Sequence, residues 1–185
     1  MKIITLDPGK GGNQLGAVYN SLIEKDINLS IVLNCRETLL KHGIVVNMTR
    51  DSDTYLGLSE RIVKANNNNS DAFISIHCNE GGGAESNIIY SINEDKGFDL
   101  ACKISSELSI CGQNAIKIYN HMGHGNNDFN TVIREAQMVS VIVYCAFLDN
   151  DIDNKLVYTN EKQRILGNAI AKGILNYFQI DTIYK

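Results

Sequence analysis

The chain has 185 residues, of which 44% are hydrophobic and 21% charged, a composition typical of a globular protein with a substantial core. Its net charge of -4 does not favour a nucleic-acid-binding protein, since such proteins usually present a basic face. The apolar runs are too short to span a bilayer and no secretory signal pattern opens the chain, so we expect neither a nucleic-acid nor a membrane partner.

Hydrophobic periodicity alternates between strand and helix along the chain. The predicted elements, in order, are strand 2–7, helix 24–42, strand 44–49, helix 58–66, strand 72–77, strand 87–92, helix 97–108, strand 139–144 and helix 161–178. This alternation predicts an α/β fold: a single three-layer domain over residues 1–185, with a mostly parallel mixed sheet and helices on both faces.

In such folds ligands bind in a crevice outside the carboxyl ends of the strands. The segments 7–12, 77–79 and 144–150 each follow a predicted strand, and Glu24 opens the first long helix. We therefore expect these four places to converge on one site. The first of them lies within LDPGKGG (6–12), where Lys10 occupies a glycine-rich turn.

Two residues at these places are common zinc ligands, Glu24 and His77. Taken alone the pair is weak evidence. A glutamate is favourable at any helix N-terminus, and a histidine at a strand end commonly hydrogen-bonds to backbone. The five cysteines are scattered without a CxxC spacing, which favours buried thiols over a cysteine-rich metal site.

The order of the motifs adds more specific information. LDPGxGG, Gly16-Ala17, Glu24, MTRDSDTYLGLSERIVKAN (48–66), DAFISIHCN (71–79), the segment 132–157 and RILGNAIAKGILNYF (164–178) follow one another over nearly the whole chain. This series resembles the zinc-dependent N-acetylmuramoyl-L-alanine amidases of the amidase 3 family. The resemblance implies an amidase-3-like domain, zinc as cofactor and the peptidoglycan stem peptide as partner. The implied reaction is hydrolysis of the amide between the muramic acid lactyl group and L-alanine.

The resemblance also assigns residues. It implies Glu24 as the second zinc ligand and His77 as the third, with Asn79 of the same segment as a candidate for substrate binding. Lys10 stands where the family has its first ligand, a histidine. Tyr144 stands where it has the catalytic glutamate. Two of the four residues that carry the reaction are therefore replaced.

Both replacements oppose zinc catalysis. A lysine ammonium has no lone pair for a metal, and its charge repels one. A tyrosine is a poor general base near neutral pH, although it can donate a hydrogen bond to an oxyanion. We expect Lys10 to occupy the place of the zinc and to pair with Glu24. The alternative is rescue of the ligand by His121 or His124, and of the base by Glu80 or Glu135.

Three functions follow from these residues. The first is an active peptidoglycan amidase with altered metal chemistry. The second is an inactive relative that binds peptidoglycan or a partner protein, and the third is a hydrolase of another amide that uses Lys10 and Tyr144. An active enzyme would work on the cell wall and would need export, release in the manner of a phage lysin, or a longer parent chain.

Arg61 and Asn66 are predicted to fix the second helix and its exit.

Overall fold

The computed structural model describes residues 1–93, 95–113 and 115–181. Its α-helices are α1 (Glu24–Lys41), α2 (Leu58–Asn67), α3 (Asp95–Ile110), α4 (Thr131–Arg134) and α5 (Asn160–Tyr177). Its strands are β1 (Ile3–Pro8), β2 (Val18–Tyr19), β3 (Leu22–Ile23), β4 (Val45–Met48), β5 (Ala72–Asn79), β6 (Ser86–Tyr90), β7 (Ile116–Asn120) and β8 (Val139–Phe147).

Six strands form one sheet in the order β4-β1-β5-β8-β6-β7. All neighbouring pairs are parallel except β6 and β8, which are antiparallel. The predicted α/β fold with a mostly parallel mixed sheet is therefore confirmed. The prediction missed strand β7, although the spacing of Ile116 and Ile118 fits a strand, and it missed the two-residue strands β2 and β3, which pair only with each other.

Helices cover both faces of the sheet. Helices α1, α3 and α5 pack on one face around a large core, in which Ile4, Leu6, Ile74 and Ile76 supply strand side chains. Helices α2 and α4 pack on the other face over a smaller cluster that contains Phe73. Side chains along a strand alternate between faces, so residues 73, 75 and 77 of β5 all point toward the α2 and α4 side.

This alternation places polar residues at one end of the sheet. In the strand register Asp7 of β1 lies beside Ser75 of β5, and His77 of β5 lies beside Tyr144 of β8. All four are at or near the carboxyl ends of parallel strands, where the sequence predicted a ligand site. Within the described residues, no helix is both long and apolar enough to cross a membrane.

Helix α5 packs closely against α1 and α3 because glycine occupies both contact points. A Cβ at Gly167 would lie 2.4 Å from the backbone oxygen of Ile31, and a Cβ at Gly173 would lie 2.5 Å from the Cα of Ile104. Backbone atoms in packed helices cannot yield as a flexible side chain can. These two glycines therefore set the spacing of the three-helix layer.

We predict that Gly173→Ala lowers the free energy of unfolding by about 1–3 kcal/mol, because the added methyl group overpacks the contact with α3. Urea unfolding monitored by circular dichroism measures the change. Gly97→Ala is the matched control, since the nearest contact of its Cβ would be the Tyr90 Cβ at 3.3 Å, with the Ser140 oxygen and the Ser91 nitrogen at 3.7 Å. An equal loss of stability in both variants would contradict the packing argument.

Candidate active site

A buried ion pair closes the end of β1. The Arg61 guanidinium donates to Asp7 Oδ1 at 2.7 Å, and both side chains are nearly inaccessible to solvent. Thr49 and Ser75 each donate a hydroxyl hydrogen bond of 2.6 Å to the same carboxylate. A buried charge needs such complete pairing to remain ionised without a large energetic cost.

The same guanidinium organises the loop that follows β1. Arg61 donates to the carbonyl oxygens of Pro8 at 2.8 Å and of Lys10 at 2.7 Å, and through Nε to that of Leu56. Arg50 donates to Pro8 and also to Gly9. Two arginines from beyond β4 thus hold the carbonyl groups of residues 8–10 in place.

Arg61 and Asn66 act on different parts of the chain. We expected both to fix α2 and its exit, but Arg61 mainly holds the loop after β1. Asn66 lies near the end of α2 and bonds to the backbone of Glu135 and Gln137, ahead of β8. The two side chains therefore connect α2 to two separate segments of the chain, the loop after β1 and the segment ahead of β8.

Lys10 and Gly9 have the backbone positions that the site requires. Lys10 adopts a left-handed conformation with φ of 64°. A Cβ at Gly9 would lie 2.1 Å from Cε1 of His77, so only glycine leaves room for the imidazole ring. From this turn the Lys10 side chain, which is 37% exposed, places its Nζ 4.0 Å from Glu24 Oε2.

Glu24 is the buried anion of the site, with 2% of its surface exposed. Its Oε1 accepts a 2.9 Å hydrogen bond from His77 Nδ1, and its Oε2 accepts one of 2.8 Å from the Ala17 amide. Asn28, one turn along α1, adds a longer contact of 3.3 Å to Oε1. The carboxylate is thus shared among several donors.

Burial alone would raise the pKa of Glu24. The hydrogen bond and charge of His77, the Ala17 amide and the charge of Lys10 outweigh burial and hold the pKa below its usual value. The group is therefore a stable carboxylate near neutral pH, matched by positive charge and hydrogen-bond donors.

Tyr144 lies beside this network. Its ring centroid is 5.4 Å from that of His77. Burial raises its pKa, and the negative charge of Glu24 raises it further, together with a contribution from Tyr119. The phenol therefore keeps its proton near neutral pH and can donate a hydrogen bond, but it has little capacity to act as a base.

Lys10, His77 and Tyr144 border a cavity of about 460 Å³, which we call the strand-end pocket, whereas Glu24 is not among the residues that line it. Its polar side includes Lys10, Arg61, Ser75, His77 and Tyr144, and its apolar side includes Leu56, Leu58, Val132 and Ile142. Reasoning from the sequence missed Ser75 and the apolar wall. The alternation of side chains along a strand could have found them, since Ser75 and Ile142 each precede a predicted site residue by two positions and so share its face.

The four residues considered as replacements for the zinc ligand or the base do not line the strand-end pocket. Of the described residues that line the strand-end pocket, none is His121, His124, Glu80 or Glu135. His121 stacks on Phe129 at 4.3 Å between ring centroids, and Glu135 is exposed beside Arg134. A role for these four residues in the site stays a prediction.

Asn79 is hydrogen-bonded to backbone amides of nearby segments. Its side-chain oxygen accepts a hydrogen bond from the Glu80 amide at 3.0 Å, and its carbonyl accepts one from Leu148. It is outside the lining of the strand-end pocket. A role for Asn79 in substrate binding likewise stays a prediction.

The side chains present do not fit a catalytic zinc ion. Such an ion needs three protein donors, and here Glu24 and His77 are bonded to each other while the ammonium of Lys10 faces the same carboxylate. Within the described part of the chain, no group of three histidine, cysteine, aspartate or glutamate side chains is arranged to hold a metal. The Lys10 ammonium at the strand-end pocket therefore faces the same carboxylate that a metal ion would have to bind.

Comparison with known proteins identifies the family. Residues 4–176 match the model of the family Amidase_3, described as N-acetylmuramoyl-L-alanine amidase. The chain belongs to this family, which confirms the resemblance predicted from the motifs.

Individual relatives extend the comparison. The chain is 32% identical over 177 residues to the uncharacterized protein YqiI of Bacillus subtilis, covering 96% of this chain and 85% of that protein. Among solved structures, Cwp6 from Clostridium difficile is 31% identical with a TM-score of 0.89, covering 95% of this chain and 29% of that one. The CwlD amidase from Clostridioides difficile, solved in complex with the GerS lipoprotein, is 28% identical with a TM-score of 0.84, covering 98% of this chain and all of that one (100%).

We predict that Arg61→Met destabilises the protein by about 3–5 kcal/mol, because it leaves the Asp7 carboxylate buried without its counter-charge. Thermal and urea unfolding measure the loss. Arg164→Met, which removes an exposed arginine paired with Glu161, is the matched control and should leave stability unchanged. A similar small effect in both variants would show that the Asp7 pair does not hold the site together.

Proposed function

We propose that this protein is an amidase-fold protein that binds the peptide-bearing muramoyl region of peptidoglycan, with ordinary zinc-activated hydrolysis impaired. The observation that carries the proposal is the 4.0 Å approach of Lys10 Nζ to the Glu24 carboxylate, which His77 also bonds. This approach supports the proposal that a cation of the chain itself takes the position that the resemblance assigns to zinc.

The loss of zinc chemistry follows from charge and donor number. A catalytic zinc supplies an acidic bound water, and it needs three protein ligands to do so. Entry of a dication beside Lys10 would meet direct repulsion, and Glu24 and His77 would first have to break their mutual hydrogen bond. Each step raises the free energy of the loaded state.

The residue at the position of the general base, Tyr144, is also unsuited to hydrolysis. In the family a glutamate accepts a proton at the position that Tyr144 occupies here. Since the pKa of Tyr144 is raised, its phenol keeps its proton and cannot accept another under ordinary conditions. The residue is suited to donate a hydrogen bond to a ligand oxygen.

The rest of the pocket supports binding. A polar side with Lys10, Ser75 and Tyr144 faces an apolar side with Leu58 and Ile142 across a cavity of about 460 Å³. Small-ligand sites commonly combine apolar walls with a few placed polar groups. A peptide with a methyl side chain next to an amide offers both kinds of surface.

Binding of a partner protein is the second candidate. The related CwlD amidase has been solved in complex with the GerS lipoprotein, which shows that a relative of this fold associates with another protein. By analogy, this chain would be a weakened or inactive member of the family that binds a partner protein.

We predict that protein purified without chelator or added metal contains far less than one zinc ion per chain, because the donor set is incomplete. Metal analysis by mass spectrometry measures the content. The protein should sediment with purified peptidoglycan but release no peptide from it, with or without added zinc. One tightly bound zinc per chain, or zinc-dependent release, would contradict the proposal.

We further predict that Lys10→His combined with Tyr144→Glu gains zinc binding and measurable release of peptide from peptidoglycan. Histidine tolerates the left-handed backbone at position 10 better than most residues. Lys10→Gln with Tyr144→Phe is the matched control, which removes the same groups without supplying a ligand or a base. A doubly substituted protein that binds zinc and stays inactive would show that other residues also prevent turnover.

A further inference from the structure

Within the described part of the chain, no residue accepts a hydrogen bond from the Lys10 ammonium. It has three N–H donors, and its ion-pair partner lies at 4.0 Å, beyond hydrogen-bond distance. Other lysines near the site differ. Lys25 Nζ donates to the Gly12 carbonyl and to Asp53, and Lys64 Nζ donates to the Thr49 carbonyl at 2.7 Å.

The remaining charges around the pocket are already paired. The Arg61 guanidinium is occupied by Asp7 and by backbone carbonyl groups. The Glu24 carboxylate is buried and accepts hydrogen bonds from His77 and Ala17. Among the described residues that line the strand-end pocket, His77 is bonded through Nδ1 to Glu24, and Lys10 offers a ligand a positive charge next to the neutral hydroxyl of Tyr144.

We propose that the strand-end pocket binds a carboxylate on Lys10 Nζ in preference to the neutral amide that the family's enzymes cleave. This inference rests on the proposed function and specifies its ligand. An ammonium gains more from an anionic acceptor than from a neutral carbonyl, since charge-assisted hydrogen bonds are roughly twice as strong. Lys10 thus changes the preferred ligand as well as removing a metal ligand.

The carboxylate has two sources in the same polymer. One is the lactyl group of muramic acid after the amide is hydrolysed: water adds its oxygen to the carbonyl carbon, the C–N bond breaks, and the alanine nitrogen leaves as an ammonium. The other is a carboxylate of the stem peptide itself. If the lactyl group is the source, an amide hydrolase must act first, and this protein recognises the product of that reaction.

Matched probes test the preference for charge. Isothermal titration compares N-acetylmuramic acid with its lactyl amide, in which a neutral NH2 group of similar size replaces one carboxylate oxygen. The free dipeptide L-alanyl-D-glutamate supplies peptide carboxylates without a lactyl group. We expect a carboxylate probe to bind the wild-type protein about tenfold more tightly than the amide, the gain from charging one hydrogen-bond partner.

Variants test the role of Lys10. Lys10→Met keeps most of the side-chain length and removes the charge, and Lys10→Asn removes the charge with a residue that tolerates the left-handed backbone. Both should lose the preference for the carboxylate, with retained folding verified by circular dichroism. Lys41→Met removes an exposed lysine at the opposite end of α1, about 25 Å from Glu24 along the helix, and should keep the preference.

The outcomes separate the two proposals. Lys10-dependent binding of N-acetylmuramic acid assigns the lactyl carboxylate, and Lys10-dependent binding of the dipeptide alone assigns a peptide carboxylate. Equal binding of acid and amide, or a preference that survives in both Lys10 variants, overturns the inference. If intact peptidoglycan still binds in that case, the proposed function stands without it. Zinc-dependent release of peptide would remove the proposed function whichever probe binds.

Discussion

The buried pair of Asp7 and Arg61 is the interaction on which the site depends. It joins the end of β1 to helix α2, and the same guanidinium holds the carbonyl groups of Pro8 and Lys10. Because these carbonyls fix the loop backbone, the direction of the Lys10 side chain is set by an arginine 51 positions further along the chain. The position of Lys10 in the pocket thus depends on a structural ion pair.

Charge balance explains how the remaining site residues coexist. Glu24 is almost fully buried, and a buried carboxylate is costly unless donors and cations compensate it. In a metal-dependent relative a zinc ion would supply much of that compensation. Here hydrogen bonds from His77 and the Ala17 amide, together with the charge of Lys10, supply the compensation that keeps the Glu24 carboxylate ionised inside the fold.

Much of the fold was predictable from the sequence, because the two-residue alternation of strands and the apolar faces of helices are local patterns. The same patterns placed Glu24, His77 and Tyr144 at the ends of neighbouring elements. The partners of Arg61 were not predictable in this way, since its contacts join distant segments and no local pattern encodes them. Nor does a sequence show that Gly9 must leave room for the His77 ring.

The lysine at position 10 gives the pocket a cation that is encoded in the chain. A metal site has to be loaded after folding, competes with other ligands for its ion and is emptied by chelators or by metal scarcity. A lysine is present in every copy as soon as the chain folds. Recognition through Lys10 would therefore be independent of zinc supply, and it would continue under conditions in which zinc-dependent relatives have lost their metal.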